Sequence, residues 1–505
     1  RPCLQENKLP AHVRQLENDQ RQNRPGIKVR PVDDKADVET AKVRQGLIRS
    51  IERNSNADVA YDRAFGGAVK SRRGWFRILT AFESPTSFNQ EIRFGSIDNP
   101  LSVYGDPGSK EPDGQDMNFG FVSDLISKDE FDARYPEAKK GNADEFKSIG
   151  DDSPDWLTED GFIRVCEYFY KDFVMDELLA IGMPDGSTQT VLRSELKGIE
   201  VPEQSIRQKR KTLVPKIKWC LLTGTEILEK RDWLGQWIPL IPVYGDELNI
   251  NGKKTWKGLI SDSKDSQRVL NYMKSSLVET IALAPKAPYV GAAGQFKGHE
   301  QKWQTANKKS HAYLEYNPKE INGNILGAPS RQNYEPAIQA LAMAAREAND
   351  DLKASTGIND ASFGNRTNES SGRAIDRRAH QAQVSNFHFI DNLNRSIRHA
   401  GRIINDLIPH IYDTERVVQI IGEDDEEKVV KINADLESDK GHWMDRGKYD
   451  IAIDNGPAYQ TKRQEAVEVM ADLSTKNPLV MQAAGDIMIK NMDIPGGQEI
   501  ADRIK

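Results

Sequence analysis

The run Gly245-Asp246-Glu247-Leu248-Asn249-Ile250-Asn251-Gly252-Lys253-Lys254 brings together the residue types of a phosphate-binding loop. Such a loop needs backbone N–H groups at fixed glycine spacing, a Lys for the phosphates and a hydroxyl for magnesium. Here the glycine spacing is wrong, and Lys254 stands where Ser or Thr should hold the metal. The run also lies between strand candidates rather than before a helix, so it reads as a hairpin turn. His299-Glu300-Gln301-Lys302-Trp303 opens like a zinc-peptidase helix, but Trp303 occupies the place of the second His ligand. No two His sit at ligand spacing on one helix face, and His399 and His410 read as surface or packing residues. Asp106, Asp113 and Asp116 lie near Gly108 and Gly114 without the spacing of a calcium loop. Glu423 to Glu427 concentrates carboxylates that could hold a divalent ion, yet a solvated hairpin tip accounts for them as well. Cys3, Cys166 and Cys220 are odd in number and far apart, which argues against a disulfide framework and a zinc pair. They are expected to be reduced thiols in a cytosolic product. No Gly-x-Ser-x-Gly elbow is present. The residues give no positive case for catalysis, no metal and no cofactor. The one enzymatic reading left is a metal-dependent nuclease or hydrolase built on the acidic clusters.

The elements that would position these groups are many. A chain of 505 residues exceeds one hydrophobic core, so several domains or an elongated subunit are expected. Eight Trp, 14 Tyr and 16 Phe supply cores and exclude a disordered chain. The net charge of −7 offers no bulk basic excess, so any DNA contact is expected to be loose or local. No run of about 18 apolar residues spans a membrane, and no signal peptide opens the sequence. Residue 1 is Arg and Ile500 to Lys505 is still helix-like, so both ends are expected to lie inside a longer gene product.

Residues 1 to about 72 read as mostly helical. Asp37 to Asn54 carries Val38, Ala41, Val43, Leu47, Ile48 and Ile51 at helical spacing, a second helix covers Ala57 to Ser71, and Pro25, Gly26 and Pro31 bracket an extended joint. From 74 to about 260 strands dominate: Trp75 to Phe82, Glu91 to Ile97, Gly161 to Tyr170, Lys216 to Thr223 and Trp237 to Val243. This part reads as α+β with mainly antiparallel strands. Ser263 to Ala284 returns to helical period with Val269, Leu270, Met273, Leu277, Val278 and Ile281 on one face. Residues 285 to 333 hold Pro, Gly and short strand-like pieces such as His311 to Tyr316. A helix from about Tyr334 to Ser355 has a seam of Ile338, Leu341, Ala345, Ala348 and Leu352 in heptad steps. After the polar loop Gly357 to Gly372, the longest helix signal runs to Ile408, roughly 55 Å at 1.5 Å per residue. Its seam is Leu393, Ile397, Ala400, Ile404, Leu407 and Ile411, and Pro409 breaks or kinks its end. Strands at 417–421, 428–432 and 449–453 and short helices after 460 complete the pattern. The stripes on these three helices are expected to serve neighbouring copies.

Several local stretches then resemble a known family. They are Asn7-Lys8-Leu9-Pro10, Asn18 to Pro25, Ile97-Asp98-Asn99-Pro100, Asp265-Ser266-Gln267-Arg268, Leu314 to Pro318, Thr356-Gly357-Ile358 and Ser370 to Ile375. In this order the sequence resembles the portal proteins of tailed bacteriophages, most of all those of short-tailed (podovirus) phages. The resemblance implies a twelve-subunit ring at a capsid vertex, through which genomic DNA is packaged and later ejected. It implies an α+β subunit with an α/β wing, paired stem helices, a small β-containing clip, a long kinked helix and a helical crown. The parts would be 1–261 as wing, 262–284 as first stem helix, 285–333 as clip and 334–356 as second stem helix. Residues 357–372 would be the tunnel loop, 373–456 the long helix and rest of the wing, and 457–505 the crown. The partners implied are double-stranded DNA, the large terminase subunit, tail adaptor or head-completion proteins, and major capsid and scaffolding proteins. No membrane is implied. The protein would be a virion component assembled in the bacterial host cytoplasm.

Under this resemblance the loop residues Asn359, Asn365, Arg366, Thr367, Asn368 and Ser370, with Arg373 and Arg377, would face DNA. Their plain alternative is a flexible connector followed by intersubunit salt bridges or a solvated face. The stem seam would comprise Met273, Leu277, Ile281, Ile338, Leu341, Ala345 and Leu352. In the clip, Tyr289, Tyr313 and Tyr316 are candidate contact residues. The densest basic patch is Arg207 to Lys211 with Lys216 and Lys218, which on a β-rich domain reads equally as a surface strand facing acidic neighbours.

Overall fold

The computed structural model describes residues 3–33, 36–138, 162–182, 188–196, 201–224, 226–283, 288–331, 338–358, 386–422, 427–434, 442–454 and 470. The chain forms two compact units, one of residues 1–15 with 259–386 and one of 16–258 with 387–505.

In chain order the first elements are α1 (Leu9–Gln22), β1 (Gly26–Pro31), α2 (Val38–Asn54) and α3 (Ala57–Ser71). Helix α2 is capped by Asp37, whose carboxylate accepts from the Thr40 backbone N–H. Next come β2 (Arg73–Phe82), β3 (Gln90–Ser96), β4 (Val103–Gly105), β5 (Phe119–Ser127) and α4 (Lys128–Arg134). They are followed by β6 (Phe162–Gly182), β7 (Thr188–Leu192), β8 (Ile206–Leu222), β9 (Ile227–Asp232), β10 (Leu240–Tyr244), β11 (Asp246–Ile250) and β12 (Lys253–Lys257). The other unit holds α5 (Lys264–Leu283), β13 (Tyr289–Val290), α6 (Glu300–Thr305), β14 (Glu320–Ile321), β15 (Asn324–Ile325), β16 (Ser330–Arg331) and α7 (Ile338–Thr356). The chain then returns with α8 (Phe387–Ile411), β17 (Arg416–Ile421), β18 (Glu427–Ile432) and β19 (Tyr449–Asp454). The architecture is α+β.

The β-rich unit contains a six-stranded antiparallel sheet in the order β4-β5-β6-β8-β9, with β7 also paired to β6, and a three-stranded sheet β10-β2-β3. Their shared core holds Trp75, Val103, Met117, Phe169, Ile217, Trp219 and Leu240. The strand recognised from Gly161 to Tyr170 runs on to Gly182, 21 residues in all. Its partner begins at Ile206 rather than Lys216. Charges at Lys171 and Asp172 interrupt the aromatic run, yet the ladder continues through them. Cross-strand pairing satisfies Asp172, whose carboxylate lies 2.6 Å from Lys218 Nζ.

Helix α8 buries Leu393, Ile397, Ala400, Ile404, Leu407 and Ile411 against this unit's own strands. Ser396 Oγ donates to the Pro242 carbonyl at 2.5 Å, and Asn392 Nδ2 donates to the Tyr244 and Gly245 carbonyls. A Cβ on Gly401 would meet Ile451 Cγ2 at 2.8 Å, so the helix lies tight on β19. This corrects the expectation that its stripe serves neighbouring copies: the stripe is consumed inside the subunit. The described helix spans 25 residues, about 37 Å, and Pro409 sits in its last turn. Residues 372–385 of the expected longer helix lie outside the described residues, as does the expected crown except residue 470.

Residues 246–257 form a β-hairpin, with Asn251 (φ 51°) and Gly252 (φ 79°) at its turn, the left-handed pair that two-residue hairpins require. The hairpin reading of that run therefore holds. The strand-like reading of His311 to Tyr316 does not, because that stretch pairs with no strand. Its aromatic residues and carbonyls serve the cluster around Trp303 instead.

Candidate functional site

The unit of residues 1–15 and 259–386 is built on α5 and α7. Ser263 at the start of α5 and Ser355 at the end of α7 share a hydrogen bond of 3.0 Å, so the two helices run antiparallel. Close to that end Leu270 meets Ala345 and Ala348, with Met273 packed against them. Leu352 is also fully buried. The small side chains of Ala345 and Ala348 let the backbones approach, which a larger residue would prevent. Toward the other end the predicted seam opens. Leu277, Ile338 and Leu341 are half-buried and Ile281 is 51% exposed. The stem-seam residues named from sequence are thus brought onto one helix pair, but closed within the chain at one end only.

The start of the chain lies along α5, a feature missed in the sequence. The Leu4, Glu6 and Lys8 backbone N–H groups donate to Ser275 Oγ, Asn271 Oδ1 and Gln267 Oε1 at 2.9, 3.0 and 3.1 Å. Gln267 Nε2 returns a bond to the Glu6 carbonyl at 2.7 Å, and Lys8 Nζ donates to Asn349 Oδ1 on α7. The geometry is simple. Two extended residues advance about 6.7 Å and four helical residues about 6 Å, so donors at steps of two meet acceptors at steps of four. The readable signal was the four-residue spacing of Gln267, Asn271 and Ser275, which sets three polar side chains on one face of α5.

At the end of α7, Gly357 adopts φ 67°, the left-handed conformation that stops a helix. Thr356 Oγ1 bonds the buried His12 Nδ1 at 3.0 Å, and Asn386 Nδ2 donates to the Thr356 carbonyl. The chain therefore enters and leaves the segment 359–385 from one fixed point. Asn359, Asn365, Arg366, Thr367, Asn368, Ser370, Arg373 and Arg377 all lie in that segment, outside the described residues.

Between the helices, Trp303 of α6 gathers the aromatic residues. Tyr289 and Phe296 meet its ring edge-on at 5.0 and 5.1 Å, and its Nε1–H donates to the Glu315 carbonyl at 2.7 Å. Arg331 stacks over Tyr289, and Lys302 Nζ lies 4.7 Å from the centre of the Tyr313 ring. Buried Gln295 ties the layers together, accepting from Ala292 N–H and donating to the Gly327 carbonyl. Of the three tyrosines named from sequence, Tyr289 is structural, whereas Tyr313 and Tyr316 are exposed. His299 Nδ1 lies 3.4 Å from Glu315, beside Lys302 on the same carboxylate. Its surroundings are ion pairs and packing, not a metal-ligand set.

The acidic groups on which a hydrolase would depend are committed to turns. Asp106 accepts from Gly108 N–H and from Asn118 N–H and Nδ2, and Asp113 accepts from Gln115 N–H. Asp116 accepts from Ser109 Oγ and from the Lys110 and Glu111 N–H groups. Burial works to raise the Asp116 pKa, but these donors outweigh it and hold the carboxyl below its usual range. Among the described residues no group of three or more His, Cys, Asp or Glu is placed to hold a metal ion. Glu423 to Glu426 lie outside the described residues.

The chain is α+β, with an antiparallel helix pair and an aromatic-cored segment between those helices in sequence. The chain belongs to the phage P22-like portal protein family, whose model matches residues 1–505. It is 25% identical to the portal protein of Acyrthosiphon pisum secondary endosymbiont phage 1, over 99% of this chain and 72% of that protein. The family is one of structural virion components that work in genome packaging. Among the described residues, no helix is long and apolar enough to cross a membrane.

Proposed function

We propose that this portal protein assembles head-to-tail into a ring of twelve copies at one capsid vertex and conducts double-stranded DNA through the central hole. In this reading α5 and α7 are the stem and the segment 285–333 is the clip. The clip meets the large terminase subunit during packaging and tail adaptor or head-completion proteins afterwards. Residues 357–372 form the tunnel loop, with Arg373 and Arg377 at its exit, and 457–505 the crown. The wing meets capsid and scaffolding proteins. The ring is loaded in the host cytoplasm by a separate motor and has no catalytic activity of its own.

One observation carries the reading. The apolar seam of the helix pair closes within the chain around Leu270, Ala345 and Ala348 but opens around Leu277 and Ile281. Leaving such side chains in water costs roughly 1.5–3 kcal/mol each relative to burying them. Twelve-fold repetition of one head-to-tail contact would cover them and close a ring without free ends. Mild overall acidity, −7 per chain, suits a conduit, because a uniformly basic lining would hold phosphates and resist translocation.

Electron microscopy of the purified protein and a packaging assay test this together. Rings of twelve with a central hole are expected. Gly364→Pro and Arg366→Glu should leave the ring intact and reduce packaging. A monomer without a pore overturns the ring, whereas normal packaging by both variants overturns the tunnel-loop assignment.

A further inference from the structure

The six-stranded sheet is electrically lopsided across its strand order. Its β6–β8 side runs out as a ribbon, joined at its far end by β7, which pairs with β6 from Leu178 to Gly182. Strand β5 pairs with β6 only up to Tyr170, and β9 pairs with β8 only from Lys218. Beyond those points the ribbon continues for roughly 40 Å at ~3.4 Å per residue. Among the described residues, no strand pairs with the outer edge of β8 from Ile206 to Lys216. This stretch carries Arg207, Lys209, Arg210, Lys211 and Lys216. Strand β6 opposite adds only Asp172, Asp176 and Glu177 as anions.

The face that holds Phe169, Ile217 and Trp219 in the core continues outward by alternation. There it presents the cross-strand pairs Phe173–Pro215 and Met175–Leu213. Phe173, Met175 and Leu213 are 51%, 64% and 53% exposed. A contiguous apolar patch with a bare backbone edge marks an interaction surface.

The opposite side of the same sheet is its reverse in charge. From Asp98 to Asp124, through β4 and β5, six carboxylates stand against Lys110. Leu101, Tyr104 and Leu125 are exposed among them. They line a cleft of about 350 Å³ with Asp124 and with Asp98, which pairs with Arg63; of its two arginines, Arg77 is paired with Glu167 at 2.7 Å.

We propose that the β6–β8 ribbon of one copy docks on the acidic β4–β5 side of the next copy. Two different patches of one chain then meet, which is the geometry that generates a ring. A duplex would satisfy the cations, but it offers nothing to Phe173, Met175 and Leu213 and no strand for the open edge. A second copy offers carboxylates and apolar side chains together. The proposal rests on the ring reading above and adds a surface to it.

Charge exchange tests it. Lys209→Glu, Arg210→Glu and Lys211→Glu combined should lower the ring fraction at least tenfold by native mass spectrometry. The circular dichroism and melting of the subunit should be unchanged, because these side chains are exposed. Adding Glu111→Lys and Asp124→Lys to the same chain should restore rings. A photo-crosslinking residue in place of Phe173 should give subunit–subunit adducts mapping to residues 97–137. Rings that persist in the first variant, or adducts only to DNA or elsewhere on the chain, overturn the docking while leaving the ring itself standing. Absence of rings in the unsubstituted protein would instead remove the ring reading.

Discussion

His399 shows how much one side chain can be asked to tolerate. It is buried on α8 with Trp237 edge-on at 6.0 Å, and neither ring nitrogen has a hydrogen-bond partner among the described residues. Burial, then the nearby charges of Arg402 and Lys171, push its pKa down to about 3. The unfolded chain, with an ordinary imidazole near 6.5, therefore binds the proton first. The contribution to stability is complete above pH 6.5 and is lost as pH falls toward 3. His399→Leu keeps an apolar side chain of similar size at this position and removes the titration. Melting followed at pH 7 and pH 4 should show a smaller drop for the variant than for the parent. Equal drops would mean that other groups govern the acid response. In the sequence this His had two open readings, surface or packing, and only the packing one is realised. Nothing in the pattern around it separates the two, since its neighbours Arg398 and Arg402 are polar.

At the scale of elements, the docking of the chain start on α5 is the clearest case of a long-range contact. Each of the three backbone bonds is worth about 1 kcal/mol. Gln267 also donates back, so Gln267→Ala removes both ends of a two-way link. Hydrogen exchange at residues 4–8 should quicken by roughly tenfold, the factor that ~1.4 kcal/mol carries, while exchange within α5 stays slow. If residues 4–8 exchange no faster, the strand is held by something other than this polar stripe. Helices and strands themselves were legible in the residues. Asp37 announces the α2 start, Gly357 the α7 stop and Asn251-Gly252 the hairpin, each through local backbone chemistry. What could not be read were extents and partners. Strand β6 outruns its aromatic stretch because β8 pairs with it through Lys171 and Asp172, where the Asp172–Lys218 ion pair bridges the strands, and His311 to Tyr316 alternates for the sake of Trp303. Likewise, the stripe on α8 has the same heptad steps as that on α7, but periodicity says only that a face is buried, not by whom.

For the whole molecule, the question is therefore which buried faces belong to the subunit and which to the assembly. α8 answers to its own sheet, with Leu393, Ile397, Ala400, Ile404 and Leu407 fully buried in a single copy. α5 and α7 answer only half to each other. A substitution at the closed end should then act on the subunit, and one at the open end on the ring. Leu352→Ala, at a fully buried position, should cost about 2–5 kcal/mol and lower the melting temperature of the isolated chain. Ile281→Asp should leave that melting temperature within a degree or two, because the side chain is already half in water. It would place a charge in the assembled contact, at a cost of several kcal/mol per interface unless the group protonates. Since every subunit of a ring carries the same lesion, even a modest cost per contact multiplies around the circle. Rings counted in electron micrographs should fall at least tenfold for Ile281→Asp. Rings at undiminished number would show that the open end of the seam faces solvent in the assembly, and that the helices meet their neighbours elsewhere.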